Sequence, residues 1–146
     1  MPSALKAFHH QRNYLDKLES YQRLRAADIH ELSGFAVPKL IGFEDELQVI
    51  EMSIVQPPYL LDFGKVYFDR PPTDIYDSRQ LKEAENYAKQ LFGNQWPDVA
   101  GLLYTLRERF GIWYVDPKPA NISFGDMNED DWEAEPGLDY GEYEED

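Results

Sequence analysis

The sequence predicts an α+β fold in which a small antiparallel sheet packs against helices. Two long stretches repeat apolar residues at three- and four-residue steps, a pattern typical of amphipathic helices. Several short apolar runs end at Pro or Gly, as strands do. With 146 residues, of which 42% are hydrophobic and 14% aromatic, the chain can build a core without disulfide bonds or structural metal ions. We therefore expect one globular domain.

The first half of the chain is expected to hold the strands and one helix. Residues 5–8 are short and partly apolar, which fits either a strand or the start of a helix. From Tyr14 to Arg25 the apolar residues recur with helical spacing, so a helix is predicted there. Three elements then follow, in the order extended segment, turn and buried strand: residues 34–42, 44–46 and 47–52.

The second half is expected to be mainly helical. Asp77 or Ser78 could cap a helix that runs to about residue 92. Residues 96–110 repeat apolar side chains over four turns, and Gly111 follows as a C-terminal cap would. Two short features complete the half, an interruption at Gly93-Asn94 and a strand at residues 122–124.

Composition excludes several classes of function. The formal net charge of −14 argues against nucleic-acid binding, because phosphates would be repelled. The chain has no cysteine, which excludes disulfides and thiolate ligands. No apolar run approaches the ~20 residues of a membrane span, and residues 1–6 lack an apolar signal core. A soluble cytoplasmic protein with no membrane partner is expected.

The negative charge is concentrated at the C-terminus. Residues 126–146 contain eleven acidic residues and no Lys or Arg. Such blocks are usually solvated. The aromatic residues within it, among them Trp132 and Tyr140, could instead fold back or dock a basic partner. We expect a domain at 1–125 and a separate acidic segment at 126–146.

One Pro-rich stretch carries the strongest chemical signal. In the run Tyr114-Val115-Asp116-Pro117-Lys118-Pro119-Ala120-Asn121, an acid, an ammonium group and an amide stand at fixed spacing. Phosphoryl transfer needs these groups, to orient a hydroxyl and to compensate the charge of nucleotide phosphates and magnesium. A plain turn in which Asp and Asn satisfy backbone donors is the alternative.

This stretch resembles the catalytic loop of the protein-kinase-like fold, Asp-x-Lys-Pro-x-Asn. The resemblance implies that Asp116 orients the substrate hydroxyl, that Lys118 neutralises the transferred phosphate and that Asn121 holds magnesium. It implies ATP and Mg²⁺ as cofactors. It also divides residues 1–125 into a small-lobe part, 1–58, and a large-lobe part, 75–125.

The same resemblance assigns nucleotide-binding residues in the first half. Lys6 is similar to the small-lobe lysine that pairs with nucleotide phosphates. Glu19 is similar to the helix glutamate that holds this lysine in place. The strand at residues 47–54 resembles the one that enters the hinge, where groups near Glu51 and Ser53 would meet an adenine.

The family's second magnesium ligand lies in an Asp-Phe-Gly element, for which two segments are candidates. Asp62-Phe63-Gly64 matches letter for letter, but it precedes the catalytic loop, where the fold is not expected to use it. Asp139-Tyr140-Gly141 follows the loop, so Asp139 is the predicted ligand, with Asp126 as a further candidate.

Two functions remain open. Only five residues precede Lys6, so the glycine-rich loop of the family is missing, and the chain ends five residues after Gly141. The first function is a reduced kinase-like domain that binds Mg·ATP, with low or lost phosphotransferase activity. The alternative is a non-catalytic interaction module. A chain with an earlier natural start, or one completed by a protein partner, would also explain the missing parts.

Overall fold

The architecture is mixed α+β, as predicted, in residues 2–60 and 63–125, the part of the chain that the computed structural model describes. Three of its elements are α-helices: α1 (Gln11–Ala26), α2 (Ser78–Phe92) and α3 (Trp96–Phe110). The strands are β1 (Ser3–Ala7), β2 (Glu31–Leu32), β3 (Phe35–Ala36), β4 (Leu40–Glu44), β5 (Val49–Ser53), β6 (Tyr59–Leu60), β7 (Val66–Phe68), β8 (Ile112–Tyr114) and β9 (Ile122–Ser123).

One sheet has three antiparallel strands in the order β1-β5-β4, so β5 is central. Its register pairs Ser3 with Ser53 at one end and Ala7 with Val49 at the other. The strand predicted from residue 47 begins at Val49, because residues 45–48 form the turn from β4. Gln48 adopts φ 53° in that turn and Leu47 is 70% exposed, which no buried strand residue would be.

Two further sheets join distant parts of the chain. Strand β6 pairs with β9, which places Leu60 opposite Ile122, and β7 pairs with β8, which places Val66 opposite Tyr114. The segment between β6 and β7 therefore lies beside the loop between β8 and β9. Strands β6, β7 and β8 were not predicted, since two or three residues are too few for an alternating pattern to register.

Helices α2 and α3 have the bounds that the sequence predicts. The Asp77 side chain accepts a hydrogen bond from the Gln80 backbone N–H, and the Gln80 side chain accepts one from the Asp77 backbone N–H. These two bonds form a capping box. Helix α3 ends at Gly111, whose φ of 66° is the left-handed conformation that glycine favours at this position. None of the helices in the described residues has both the length and the apolar character of a membrane span.

The core is continuous from α1 to α3 and has Phe63 at its centre. Phe63 is fully buried, in edge-to-face contact with Tyr21 of α1 at 5.2 Å between ring centroids, and its centroid lies 6.2 Å from that of Tyr114 of β8. Burying such a ring stabilises the fold by about 1.5–3 kcal/mol. Phe63 thus fixes the position of the segment that follows β6.

Arg23 joins α1 to the turn after β7 and to the end of α3. Its guanidinium donates to both carboxylate oxygens of Asp69, at 2.7 and 2.9 Å, and to the Phe110 carbonyl at 2.9 Å. Its Nε donates to Glu19 at 2.7 Å. The hydrogen bonds from Arg23 lower the pKa of Asp69, and the bond to Asp69 is the main reason why the pKa of Arg23 is raised.

Candidate functional site

Three polar residues predicted to act together are presented by the loop between β8 and β9. The loop is held at its start by a hydrogen bond from the Val115 N–H to the Lys65 carbonyl at 3.0 Å. It closes on itself where the Asn121 N–H donates to the Lys118 carbonyl at 2.9 Å. Lys118 and Asn121 are almost buried, at 8% and 9% exposure, while the Asp116 side chain is 25% exposed.

The structure brings Asp116 and Lys118 together as an ion pair at the limit of contact. Lys118 Nζ lies 4.0 Å from Asp116 Oδ2. The other carboxylate oxygen, Oδ1, accepts a hydrogen bond from the Lys65 backbone N–H at 2.9 Å. One oxygen of Asp116 is therefore tied to the backbone of a neighbouring segment, and its partner oxygen faces an ammonium group.

Gly64 is the closest neighbour of this loop. A Cβ added to Gly64 would lie 2.7 Å from Asp116 Oδ1 and 3.5 Å from Asn121 Nδ2. The first distance is shorter than real Cβ contacts allow. Only glycine permits this approach, so the side chains of Asp116 and Asn121 converge on the backbone at position 64.

Although the Asp-Phe-Gly segment precedes the loop between β8 and β9 by some fifty positions, the pairing of β6 with β9 and of β7 with β8 places its described part against that loop. Whether the segment supplies a magnesium ligand stays a prediction. Phe63 packs in the core and Gly64 contacts Asp116. Asp62, like Asp126 and Asp139, lies outside the described residues.

A lysine that the sequence analysis did not single out also reaches this segment. Lys17 of α1 is 5% exposed, and its Nζ donates to the Gly64 carbonyl at 3.0 Å. One turn earlier, the buried Oδ1 of Asn13 has no hydrogen-bond partner among the residues that the structure describes. The signal was present in the sequence, because position 17 is on the apolar face of the helix, three residues after Tyr14 and four before Tyr21.

The predicted pairing of Lys6 with Glu19 is not formed. Glu19 accepts from Arg23 Nε at 2.7 Å, one turn along α1, and its side chain is 45% exposed. Lys6 is half-buried in β1, opposite Ile50 of β5. The physical reason is the Arg23 guanidinium, which stands four residues after Glu19 on the same helical face and takes its carboxylate.

Glu51 and Ser53 lie on β5, and their backbone groups are engaged on both sides of the strand. The Ser53 N–H donates to the Lys39 carbonyl at 2.9 Å, and Glu51 stands opposite Leu5 of β1. Their side chains accept from the Ser3 hydroxyl and from the Lys39 N–H, at 2.7 and 2.8 Å. The role of both residues in adenine binding stays a prediction. The backbone groups that follow Ser53 lie beyond the end of β5 and outside its ladder of hydrogen bonds.

A cavity of about 410 Å³ opens between the catalytic-type loop and α2. Asp116 and Lys118 form one wall, and Gln80, Glu83 and Tyr87 of α2 form part of the opposite one. Between them, Lys65 Nζ donates to the Tyr76 hydroxyl at 3.4 Å. A second cavity of about 460 Å³ adjoins it and shares Leu81, Val115 and Pro117.

The donor set can be compared with what magnesium requires. Mg²⁺ prefers carboxylate, amide and water oxygens, and Asn121 and Asp116 place an amide and a carboxylate around one glycine. No group of three or more His, Asp or Glu side chains in residues 2–60 and 63–125 could hold a metal by itself. Residues 2–60 and 63–125 thus supply, at this loop, one carboxylate and one amide of the kind that Mg²⁺ binds.

The loop between β8 and β9 thus presents a carboxylate that a backbone amide holds in place, a nearly buried ammonium group and a side-chain amide, and an open cavity lies beside it. It can orient a hydroxyl group and compensate negative charge. No protein-family model, curated protein or solved structure matches this chain.

Proposed function

We propose that this chain is a protein-kinase-like domain that binds Mg·ATP and positions a hydroxyl group for phosphoryl transfer. In this proposal the Asp-Phe-Gly segment precedes the catalytic loop in the chain. The observation that carries the proposal is the close approach of residues 64–65 to the loop: the Lys65 N–H donates to Asp116 Oδ1 at 2.9 Å, and a Cβ added to Gly64 would lie 2.7 Å from the same oxygen. Gly64 belongs to one segment that resembles a motif of this family and Asp116 belongs to the other, so parts of the two motifs lie close together although they are far apart in the sequence.

Each residue of the loop has a role in this proposal. Asp116 accepts the Lys65 hydrogen bond with Oδ1, which leaves Oδ2 to orient the attacking hydroxyl group and to accept its proton. Lys118 lies 4.0 Å from that carboxylate and compensates the charge of the phosphate in transfer. The Asn121 amide oxygen supplies one ligand to magnesium, which when bound neutralises charge on the nucleotide phosphates.

The order and packing of the elements support the proposal. A lysine-bearing strand, a helix and a strand pair come first, as β1, α1, β4 and β5, and α3 leads into the loop. These are the elements that the family resemblance implies for this length of chain. The 410 Å³ cavity beside Asp116 and Lys118 provides space for a phosphate acceptor.

The metal-binding carboxylate is proposed to come from the Asp-Phe-Gly segment. Asp62 stands two positions before Gly64 in the sequence, and a Cβ added to Gly64 would lie 2.7 Å from Asp116 Oδ1 and 3.5 Å from Asn121 Nδ2. Asp139, the ligand predicted from chain order, is the competing candidate, and substitution of each distinguishes them.

A second candidate function is a non-catalytic module of the same fold. It is favoured by the burial of Lys118 and Asn121, at 8% and 9% exposure, which limits their access to a nucleotide. Such a module would keep the loop as a structural turn and bind a protein partner. It predicts no response to Mg·ATP.

The experiment that separates the two is a thermal unfolding titration with Mg·ATP, with Mg²⁺ alone and Mg·GTP as controls. A ligand that binds only the folded state stabilises it by about 2.7 kcal/mol at a hundredfold excess over its Kd. The proposal expects a saturable rise in Tm that requires both ATP and Mg²⁺. An unchanged Tm at millimolar Mg·ATP would favour the non-catalytic module.

A further inference from the structure

Lys17 is a buried charged group whose place in the fold calls for an explanation. It lies in the middle of α1 with 5% of its surface exposed, among Tyr14, Leu18 and Tyr21. Lysine is almost never fully buried unless its ammonium group is satisfied, because removing the charge from water is costly. An apolar residue would fill this position without that cost, so the ammonium group itself is expected to have a role.

One acceptor of the Lys17 ammonium group is the carbonyl end of a peptide unit whose N–H end binds Asp116. Lys17 Nζ donates to the Gly64 carbonyl at 3.0 Å. The N–H of the same peptide unit, that of Lys65, donates to Asp116 Oδ1 at 2.9 Å. Because a peptide unit is planar, fixing its carbonyl also fixes the direction of its N–H.

The charge on Lys17 acts through this peptide unit as well. A cation at the carbonyl oxygen polarises the peptide, which makes its N–H a stronger donor to the carboxylate. Hydrogen bonds to charged groups are the stronger ones in proteins, and here both outer partners are charged. The carboxylate approaches this peptide unit closely, because a Cβ added to Gly64 would lie only 2.7 Å from Asp116 Oδ1.

We infer that Lys17 is a positioning residue for Asp116, acting through the Gly64–Lys65 peptide unit. It holds Oδ1 of the carboxylate to the backbone and leaves Oδ2 directed to the acceptor hydroxyl and Lys118. This inference rests on the proposed function for its effect on catalysis, but the coupling itself is a property of the fold.

The coupling is tested without any substrate, by amide hydrogen exchange followed residue by residue. Lys17→Met keeps the length of the side chain and removes the ammonium group, whereas Lys17→Arg keeps the charge and donors. The control is Lys39→Met, because Lys39 is an exposed lysine away from the loop. In Lys17→Met the Lys65 amide is expected to exchange about tenfold faster, while amides of the central strand β5 are unchanged.

Rescue and kinetics separate positioning from general stability. Lys17→Arg should recover most of the Lys65 protection, and transfer from Mg·ATP should fall about tenfold in kcat for Lys17→Met with little change in KM. If Lys17→Met does not fold, Lys17→Gln is used in its place. Unchanged exchange at Lys65, or equal acceleration at Lys65 and in β5, would overturn the inference. A wild type that neither binds Mg·ATP nor transfers phosphate would overturn the proposed function alone.

Discussion

The backbone N–H of Lys65 donates a hydrogen bond to Asp116 Oδ1 at 2.9 Å, across 51 positions of the chain. This bond joins the segment after β6 to the loop after β8, and the pairing of β7 with β8 keeps it in register. The bond explains why the carboxylate has one defined orientation while remaining 25% exposed. A fixed and accessible carboxylate is what a group that orients a hydroxyl requires.

The space at Gly64 provides the first prediction. Gly64→Ala places a Cβ 2.7 Å from Asp116 Oδ1, so the carboxylate must shift and the Lys65 bond must lengthen. Transfer from Mg·ATP should fall by about a hundredfold, since catalysis is sensitive to displacements near 1 Å.

Gly101→Ala is the matched control for this substitution. Gly101 lies in α3 with nothing within 4 Å of an added Cβ, so alanine there should raise stability by about 0.5–1 kcal/mol. Chemical unfolding and activity are measured for both variants. Full activity of Gly64→Ala would show that the close approach to Asp116 has no catalytic role.

The two candidate carboxylates provide the second prediction. Asp62→Asn should abolish the dependence of the ATP-induced Tm rise on Mg²⁺, because a neutral amide is a weaker magnesium ligand than a carboxylate. Asp139→Asn should leave that dependence unchanged. The opposite pattern would assign the metal-binding carboxylate to Asp139. If both variants keep the dependence of the Tm rise on Mg²⁺, neither carboxylate is a metal ligand.

Much of this fold follows from the sequence, and the parts that do not are informative. Helices α2 and α3 could be predicted to within a residue or so, because Asp77, Gly93 and Gly111 mark their ends and the apolar spacing covers four turns. These are local signals. Strands β6 and β7 could not be predicted, since their residues form strands only through pairing with β9 and β8.

The same distinction applies to the candidate site. Asp116, Lys118 and Asn121 are adjacent in the chain, so their spacing could be recognised directly. The approach of Gly64 and Lys17 depends on tertiary contacts with sequence separations of about fifty residues. Chain order points to Asp139 rather than to the segment at 62–64 as the source of the metal ligand, and this choice stays a prediction, since Asp62 and Asp139 both lie outside the described residues.

Tyr14 provides the third prediction, at alkaline pH. Burial, together with the hydrogen bond that its hydroxyl donates to Asp45 at 2.7 Å, raises the pKa of Tyr14 from 10.0 to about 12. The folded state therefore keeps its proton at pH values where the unfolded chain has lost it. This stabilisation is complete below pH 10 and is lost as the pH rises towards 12.

Tyr14→Phe isolates this contribution. The variant should be less stable at neutral pH, because Asp45 loses its donor, and its stability should fall less steeply between about pH 10 and 12. Tyr104→Phe, at an exposed tyrosine of α3, is the control. Parallel alkaline profiles for wild type and Tyr14→Phe, measured by chemical unfolding, would contradict the account of this hydrogen bond.

The contact of Arg23 with Asp69 provides the fourth prediction, at acidic pH. The pKa of Asp69 is lowered by the hydrogen bond from Arg23, so the carboxylate stabilises the fold above its ordinary pKa. That stabilisation is lost as the pH falls through the lowered value.

Asp69→Asn removes the charge and tolerates the positive φ of 71° at this position. The Tm of the variant should be lower than that of wild type at pH 7 and should converge with it in acid, below the lowered pKa of Asp69. Asp74→Asn, at an exposed partner of Arg70, is the control. A Tm difference for Asp69→Asn that is the same at both pH values would argue against the ion pair.

The central claim is that Asp116 acts on a substrate hydroxyl while the nucleotide is held elsewhere. The most direct measurement is the release or transfer of the γ-phosphate from labelled Mg·ATP by wild type and Asp116→Ala, with nucleotide binding followed in the same samples. We expect Asp116→Ala to bind Mg·ATP as wild type does and to transfer phosphate at least about a hundredfold more slowly. Equal rates in the two proteins would contradict the catalytic role of Asp116.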